Sequence, residues 1–197
     1  IDTPLSLYIH FPWCARKCPY CDFNSHEVRS DIPETRYVET LLRDLEFELE
    51  SDPRKTLRSI FMGGGTPSLF SPEAISNLFA GIKDRFDISE AEITLEANPG
   101  TFDQGHFDGY SEAGVNRLSI GAQSFSADAL TQLGRIHSPG EIELAYYGAR
   151  QAGFNRINID LMHGLPGQTL GNALNDLKRA IELEPEHISW YQLTIEP

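Results

Sequence analysis

The chain is 197 residues long, 40% hydrophobic, and carries a net charge of −13 from 16 basic and 29 acidic residues. That length suits one domain with a sizeable core. The acidic balance argues against a general nucleic-acid or anionic-membrane partner, because phosphate contact needs surplus Lys and Arg, and no apolar run approaches the ~20 residues of a membrane-spanning helix.

A first strand is predicted over 5–10. It runs straight into Cys14, Cys18 and Cys21, in a C-x3-C-x2-C spacing, and these are the 3 cysteines of the chain. Three thiolates can hold a [4Fe–4S] cluster and leave its fourth iron open to a small molecule. Zinc usually takes four ligands paired across two turns, so His10 or His26 would have to complete a Cys3His site. A disulfide framework conflicts with the odd count. Inert core thiols would not gather between Pro12, Lys17 and Pro19, in a stretch that reads as loop. Clustered free thiols point to a reducing cytoplasm.

Val38, Leu41, Leu42, Leu45 and Leu49 fall at helical spacing, with the acidic stretch 44–52 as a solvated face. A second strand, 58–62, stops at Gly63-Gly64-Gly65. Ser71-Pro72 is an N-cap with Pro at the first helical position, and Ile75, Leu78, Phe79 and Ile82 stripe that helix. A third strand, 92–96, precedes a short helix begun by a Thr101/Gln104 capping box and ending near Gly114. The fourth strand is 117–121. After a short helix, Ser138-Pro139-Gly140-Glu141 opens a helix to about Ala152. The fifth strand is 154–161. Leu170, Ala173, Leu174, Leu177, Ala180 and Ile181 mark the next helix, and 187–195 the sixth strand. Such alternation without hairpin signals implies an α/β fold with a parallel sheet, either a full or partial barrel or an open doubly wound sheet. The chain reads as a fragment, since it begins at Ile1 and stops at Pro197 just after a strand-like run.

In either architecture ligands bind at the carboxyl ends of the strands, and the motifs fall there. Gly63-Gly64-Gly65-Thr66-Pro67 leaves strand two; it is neither a Walker loop nor G-x-G-x-x-G. Its glycines offer close backbone approach and bare N–H and C=O groups to a ligand. Glu96 ends strand three, Gln123 follows strand four, and Asp160 lies near the end of strand five. A carboxylate inside an apolar strand needs a ligand or a partner, here Arg117 or Arg156. Arg135 suits bidentate binding of a carboxylate.

The cysteine spacing, with an aromatic before the third Cys, resembles the signature of radical S-adenosylmethionine (AdoMet) enzymes. Tyr8-Ile9-His10-Phe11-Pro12-Trp13-Cys14, Cys18-Pro19-Tyr20-Cys21-Asp22-Phe23-Asn24, and segments 63–69, 95–100, 118–125, 134–137, 160–166 and 190–197 together resemble the coproporphyrinogen III oxidase-like family. The resemblance implies a partial (β/α)6 barrel, residues 1–197 being a radical AdoMet core domain with a C-terminal domain beyond it. It implies that Cys14, Cys18 and Cys21 ligate the cluster. Tyr8 and Tyr20 would pack near AdoMet and the cluster. Gly64, Gly65 and Thr66 would meet its amino group and adenosine, Glu96, Gln123 and Asp160 its ribose or methionine polar groups, and Arg135 its carboxylate. The family's oxidases carry a further Cys two residues after the last cluster Cys, where this chain has Phe23. That departure favours the heme-chaperone branch: heme as cargo, respiratory proteins as recipients, and a flavodoxin or ferredoxin type protein as reductant. The alternatives are a radical oxidoreductase on a tetrapyrrole such as coproporphyrinogen III, and a zinc- or cluster-stabilised scaffold without a redox role.

Overall fold

A computed structural model describes residues 4–49, 54, 56–101 and 104–194, without the side chains of Thr101 and Gln104. Strands β1 (Leu5–Phe11), β4 (Leu57–Gly64), β5 (Glu92–Ala97), β6 (Arg117–Gln123), β7 (Ile157–His163) and β8 (His187–Gln192) form one sheet in the order β1-β4-β5-β6-β7-β8. Each neighbouring pair is parallel. The order follows the chain without reversing, so no switch point of a doubly wound sheet exists, and the sheet curls into a (β/α)6 partial barrel with β1 and β8 as its open edges. Two short strands, β2 (Trp13–Cys14) and β3 (His26–Glu27), pair with each other in the cysteine loop.

Alternation along the strands divides the molecule into two layers. Ile9, Phe11, Ile60, Met62, Ile93, Leu95, Leu118, Ile120, Ile159 and Leu161 are buried on the helix side and form the main core. Their alternates, Thr94, Glu96, Ser119, Asn158 and Asp160, line the inner face, because successive strand residues point to opposite sides. The interior of this barrel is therefore polar.

Among the described residues six α-helices cover the outside: α1 (Glu34–Leu49), α2 (Pro72–Lys83), α3 (Gln104–Ala113), α4 (Ala127–Gln132), α5 (Pro139–Gln151) and α6 (Leu170–Glu182). In α2 the predicted stripe is buried, Ile75, Leu78, Phe79 and Ile82 each contributing roughly 1.5–3 kcal/mol by burial. Ser71 caps it through the Ala74 N–H at 3.2 Å. At α5 the Glu141 carboxylate accepts from the Ser138 N–H and hydroxyl, both at 2.8 Å. The α6 stripe differs from expectation: Ala173 and Ala180 are buried, whereas Leu170, Leu174 and Ile181 are exposed. β4 and β6 each run two residues past their predicted ends, and β7 begins at Ile157 rather than Phe154. The side chains of the Thr101/Gln104 capping box, the end of the acidic stretch and Ile195 lie outside the described residues. No helix among the described residues is long and apolar enough to cross a membrane.

Candidate cofactor site

The cysteine loop is a braced unit. The His26 N–H donates to the Pro12 carbonyl at 2.7 Å and the Val28 N–H to the Cys14 carbonyl at 2.9 Å, closing the loop on itself. Inside it the Lys17 ammonium donates to the carbonyls of Phe23 (3.1 Å) and Ser25 (3.0 Å). Beneath it lies an aromatic floor: Trp13 meets Tyr37 edge-on at 4.6 Å, and Phe11 meets Phe70 at 4.7 Å. Cys14 is buried, and Cys18 and Cys21 are half-buried. Burial pushes the Cys14 thiol up, opposed by hydrogen bonds with Ser25 and Thr66.

The glycine loop is stitched to this unit. The Gly65 N–H donates to the Phe11 carbonyl at 2.6 Å and the Thr66 N–H to the Trp13 carbonyl at 2.7 Å. The Gly64 N–H points to Glu96 Oε2 at 3.3 Å. These three donors, expected to face a ligand, are spent within the protein. A Cβ on Gly65 would sit 2.4 Å from the Trp13 carbonyl oxygen, so this glycine makes room for the cysteine loop.

Arg135 closes the opposite side. Gly134 adopts φ +70, and a Cβ there would lie 2.8 Å from Pro19, so glycine lets this turn press on the cysteine loop. The guanidinium then donates to Cys18 Sγ at 3.6 Å and to the Gly121 carbonyl at 2.9 Å, while its buried Nε has no protein partner. Gln123, at φ 66 after a register shift in β6, receives the Tyr191 hydroxyl at 2.7 Å. The loop behind it is held by buried Asp176 of α6, which accepts from the Ser124 hydroxyl (2.6 Å) and the Phe125 N–H (2.8 Å). A strained backbone at a site persists when surrounding contacts over-determine it.

These parts enclose a cavity of about 480 Å³ at the carboxyl ends of the strands. Cys14, Cys18, Cys21, Tyr20, Gly64, Gly65, Thr66, Glu96, Gln123, Arg135 and Asp160 all line it. Tyr8 does not: it is 57% exposed, its hydroxyl bonds His10 Nδ1 at 3.0 Å, and it stacks on Phe61. Phe23 lines the cavity mouth, also 57% exposed. Tyr191, Ser119 and Asn98 line it too and were not singled out from the sequence. Tyr191 had a legible signal, an aromatic hydroxyl near the end of the last strand.

Two carboxylates face this space. Burial raises Glu96 to about 7, helped by the charge of Asp160 and opposed by the Gly64 N–H. Burial also raises Asp160, opposed by hydrogen bonds with Ser119, Asn158 and Ser189 and by the charge of Arg117. Arg117 and Arg156 approach Glu92 instead, at 4.0 and 3.6 Å, so neither forms the ion pair that would make Asp160 merely structural. His10 has both ring nitrogens engaged, with Tyr8 and the Asn24 carbonyl, and His26 lies outside the cavity. Neither histidine is placed to complete a zinc site with the three thiols.

Three thiols, an arginine nitrogen without a partner among the described residues and two half-buried carboxylates fit a thiolate-held cluster beside a ligand carrying both signs of charge. A parallel partial barrel with such a site at its strand ends defines a barrel able to hold a thiolate-bound cluster beside a charged ligand. The model of the Radical SAM superfamily matches residues 8–180, and the chain belongs to that superfamily. It is 57% identical over 199 residues to the heme chaperone HemW of Haemophilus influenzae, an alignment covering 98% of this chain and 52% of that protein. It is 54% identical to the heme chaperone HemW of Escherichia coli, over 98% of this chain and 52% of that one. The chain thus spans about half the length of the curated relatives it matches. Among solved structures it is similar to the coproporphyrinogen III oxidase HemN of Escherichia coli, a radical SAM enzyme, with a TM-score of 0.87 and 31% identity over 97% of this chain and 44% of that one.

Proposed function

We propose that this chain is the core domain of a cytoplasmic heme chaperone, with a [4Fe–4S] cluster on Cys14, Cys18 and Cys21 and AdoMet beside it. The observation that carries the reading is the convergence of the three thiols, the glycine loop, Glu96, Gln123, Arg135 and Asp160 on one cavity. When bound, the cluster supplies an electron and AdoMet a sulfonium–carbon bond that the electron can break. The protein's part is binding and orientation. The carbonyls of the glycine loop suit an ammonium, since its N–H groups are already used. Arg135 suits a carboxylate, through donors not taken by Cys18 and Gly121. Glu96, Asp160 and Gln123 supply acceptors for ribose hydroxyls and favour a cationic centre. Tyr20 packs between Cys18 and Arg135; burial raises its phenol, keeping it neutral. In this reading heme is the cargo, respiratory proteins receive it, and a flavodoxin or ferredoxin type protein reduces the cluster.

The identity to the two bacterial heme chaperones and the place of Phe23 support the chaperone over the oxidase. The likeness to the oxidase structure supports the second reading, a radical oxidoreductase acting on coproporphyrinogen III. One experiment separates them. Full-length protein is reconstituted anaerobically, then assayed for iron and sulfide, for heme binding, and for products from coproporphyrinogen III with AdoMet and a reductant. The chaperone reading expects about four iron and four sulfide per chain, bound heme, and no vinyl-group formation. Robust formation of protoporphyrinogen IX would install the oxidoreductase instead. Stoichiometric zinc without iron would remove both.

A further inference from the structure

Asp160 reaches the cavity from inside the barrel, and the side chains behind it form a closed polar set. Ser119, Asn158 and His187 are register partners on β6, β7 and β8, so they stand in one row across the inner face. Asn158 is 1% exposed. Its Nδ2 donates to Ser119 Oγ at 2.7 Å and to Asp160 Oδ1 at 2.9 Å. Its Oδ1 lies 2.5 Å from His187 Nδ1 and 3.1 Å from the Ser189 hydroxyl. The Ser119 hydroxyl, having accepted from Asn158, gives its own proton to Asp160 Oδ2 at 2.8 Å.

A primary amide has two N–H donors and a carbonyl with two lone pairs. All four are used, which fixes the amide's orientation. Flipping it would turn Oδ1 toward the Asp160 carboxylate, setting two acceptors against each other and replacing attraction by repulsion at that end. Both Asp160 oxygens receive a donor from the barrel wall, one from an amide and one from a hydroxyl. That two-point hold sets the plane of the carboxylate. The set is placed by strand register rather than by a loop, and the edge strand β8 anchors its far end.

We infer that Asn158 is a positioning residue: with Ser119 it fixes the Asp160 carboxylate toward the cavity, and His187 and Ser189 hold Asn158 in turn. This rests on the reading that Asp160 binds AdoMet. The test is a double-mutant cycle on the reconstituted full-length protein, with AdoMet affinity measured by calorimetry and iron and sulfide content measured alongside. Asn158→Leu keeps the branched shape and removes the amide. It should weaken AdoMet roughly tenfold, the scale of one charge-assisted hydrogen bond, with the cluster retained. Asp160→Ala should weaken it at least as much. The double variant should match Asp160→Ala alone, since Asn158 acts only through that carboxylate. Ser119→Ala, which removes a single hydroxyl, should show the same loss and the same non-additivity, and decides the matter if Asn158→Leu loses its cluster. Additive losses in the double variants, or wild-type affinity in Asn158→Leu and Ser119→Ala beside a weakened Asp160→Ala, would overturn the inference. Wild-type affinity in Asp160→Ala would instead overturn the AdoMet reading of Asp160, and the inference with it.

Discussion

Glu96→Gln should stabilise the protein at alkaline pH while damaging the site. Glu96 is raised from an ordinary 4.5 to about 7, chiefly by burial and next by Asp160. A raised acid pKa means that folding favours the protonated form. Stability from this group is fully present below pH 4.5 and is lost as pH rises through about 7. At 1.36 kcal/mol per unit, the shift corresponds to a ceiling of roughly 3 kcal/mol above pH 7. Glutamine removes the ionisation and keeps an oxygen for the Gly64 N–H. A gain of about 2 kcal/mol at pH 8 would raise Tm by about 4–8 °C for a domain of this size. At pH 5, where the folded-state glutamate is already protonated, most of the gain should vanish. The assay is thermal unfolding of both proteins by circular dichroism across pH 5–8. Equal gains at pH 5 and pH 8, or a loss at pH 8, would refute the account of a desolvated carboxylate. The same variant should bind AdoMet more weakly, because the ligand's cationic centre loses a counter-charge.

Gly65→Ala should cost cluster content more than it costs global stability, because the added methyl strikes the Trp13 carbonyl and breaks the bond to Phe11; iron per chain beside Tm measures the split. Cys18→Ser should abolish the cluster and leave the circular dichroism spectrum intact, since the barrel core does not include that thiol. Asp176→Ala should destabilise the fold by about 3 kcal/mol, by leaving the buried Ser124 hydroxyl and Phe125 N–H without their acceptor; urea unfolding reads the loss, and a change below about 1 kcal/mol would mean the loop holds itself.

The strand–helix alternation was legible because each buried strand and each amphipathic helix carries its own period. Sequence could not choose between barrel and open sheet, since that depends on which strands become neighbours. The residues at strand ends were legible for a different reason: a Glu or Asp inside an apolar run has few uses. Gly65 was recognised, but its use was not. Close approach is a property of two segments, and only the folded chain shows that one of them is Trp13. The place of Tyr8 beside the cavity rather than in its lining was equally illegible, its hydroxyl being taken up by His10 at the start of the loop. The α6 stripe looked complete because periodicity reports a face and not what covers it. Asp176 was invisible, a helical acid among many, until the turn after β6 supplied its donors.

The joins between segments explain why this site tolerates so little freedom. The glycine loop fastens to the cysteine loop through Gly65 and Thr66, and Arg135 fastens to it through Cys18. Moving the thiols therefore moves the groups proposed to hold AdoMet. That coupling matters for any reading in which cluster and ligand must meet at a fixed distance, because each is positioned by the same loop rather than by separate parts of the barrel. The charge pattern adds a second constraint. Glu96 and Asp160 stand on one wall and Arg135 on another, within a cavity of about 480 Å³. A ligand that is anionic at one end and cationic at the middle meets both walls with complementary charge, whereas a simple anion meets Glu96 and Asp160 with like charge at a cost that burial increases. Burial raises both carboxyls, and the charge of Asp160 adds to it at Glu96. The desolvation that holds both acids above their ordinary range and the preference for a cation beside them thus share one electrostatic cause.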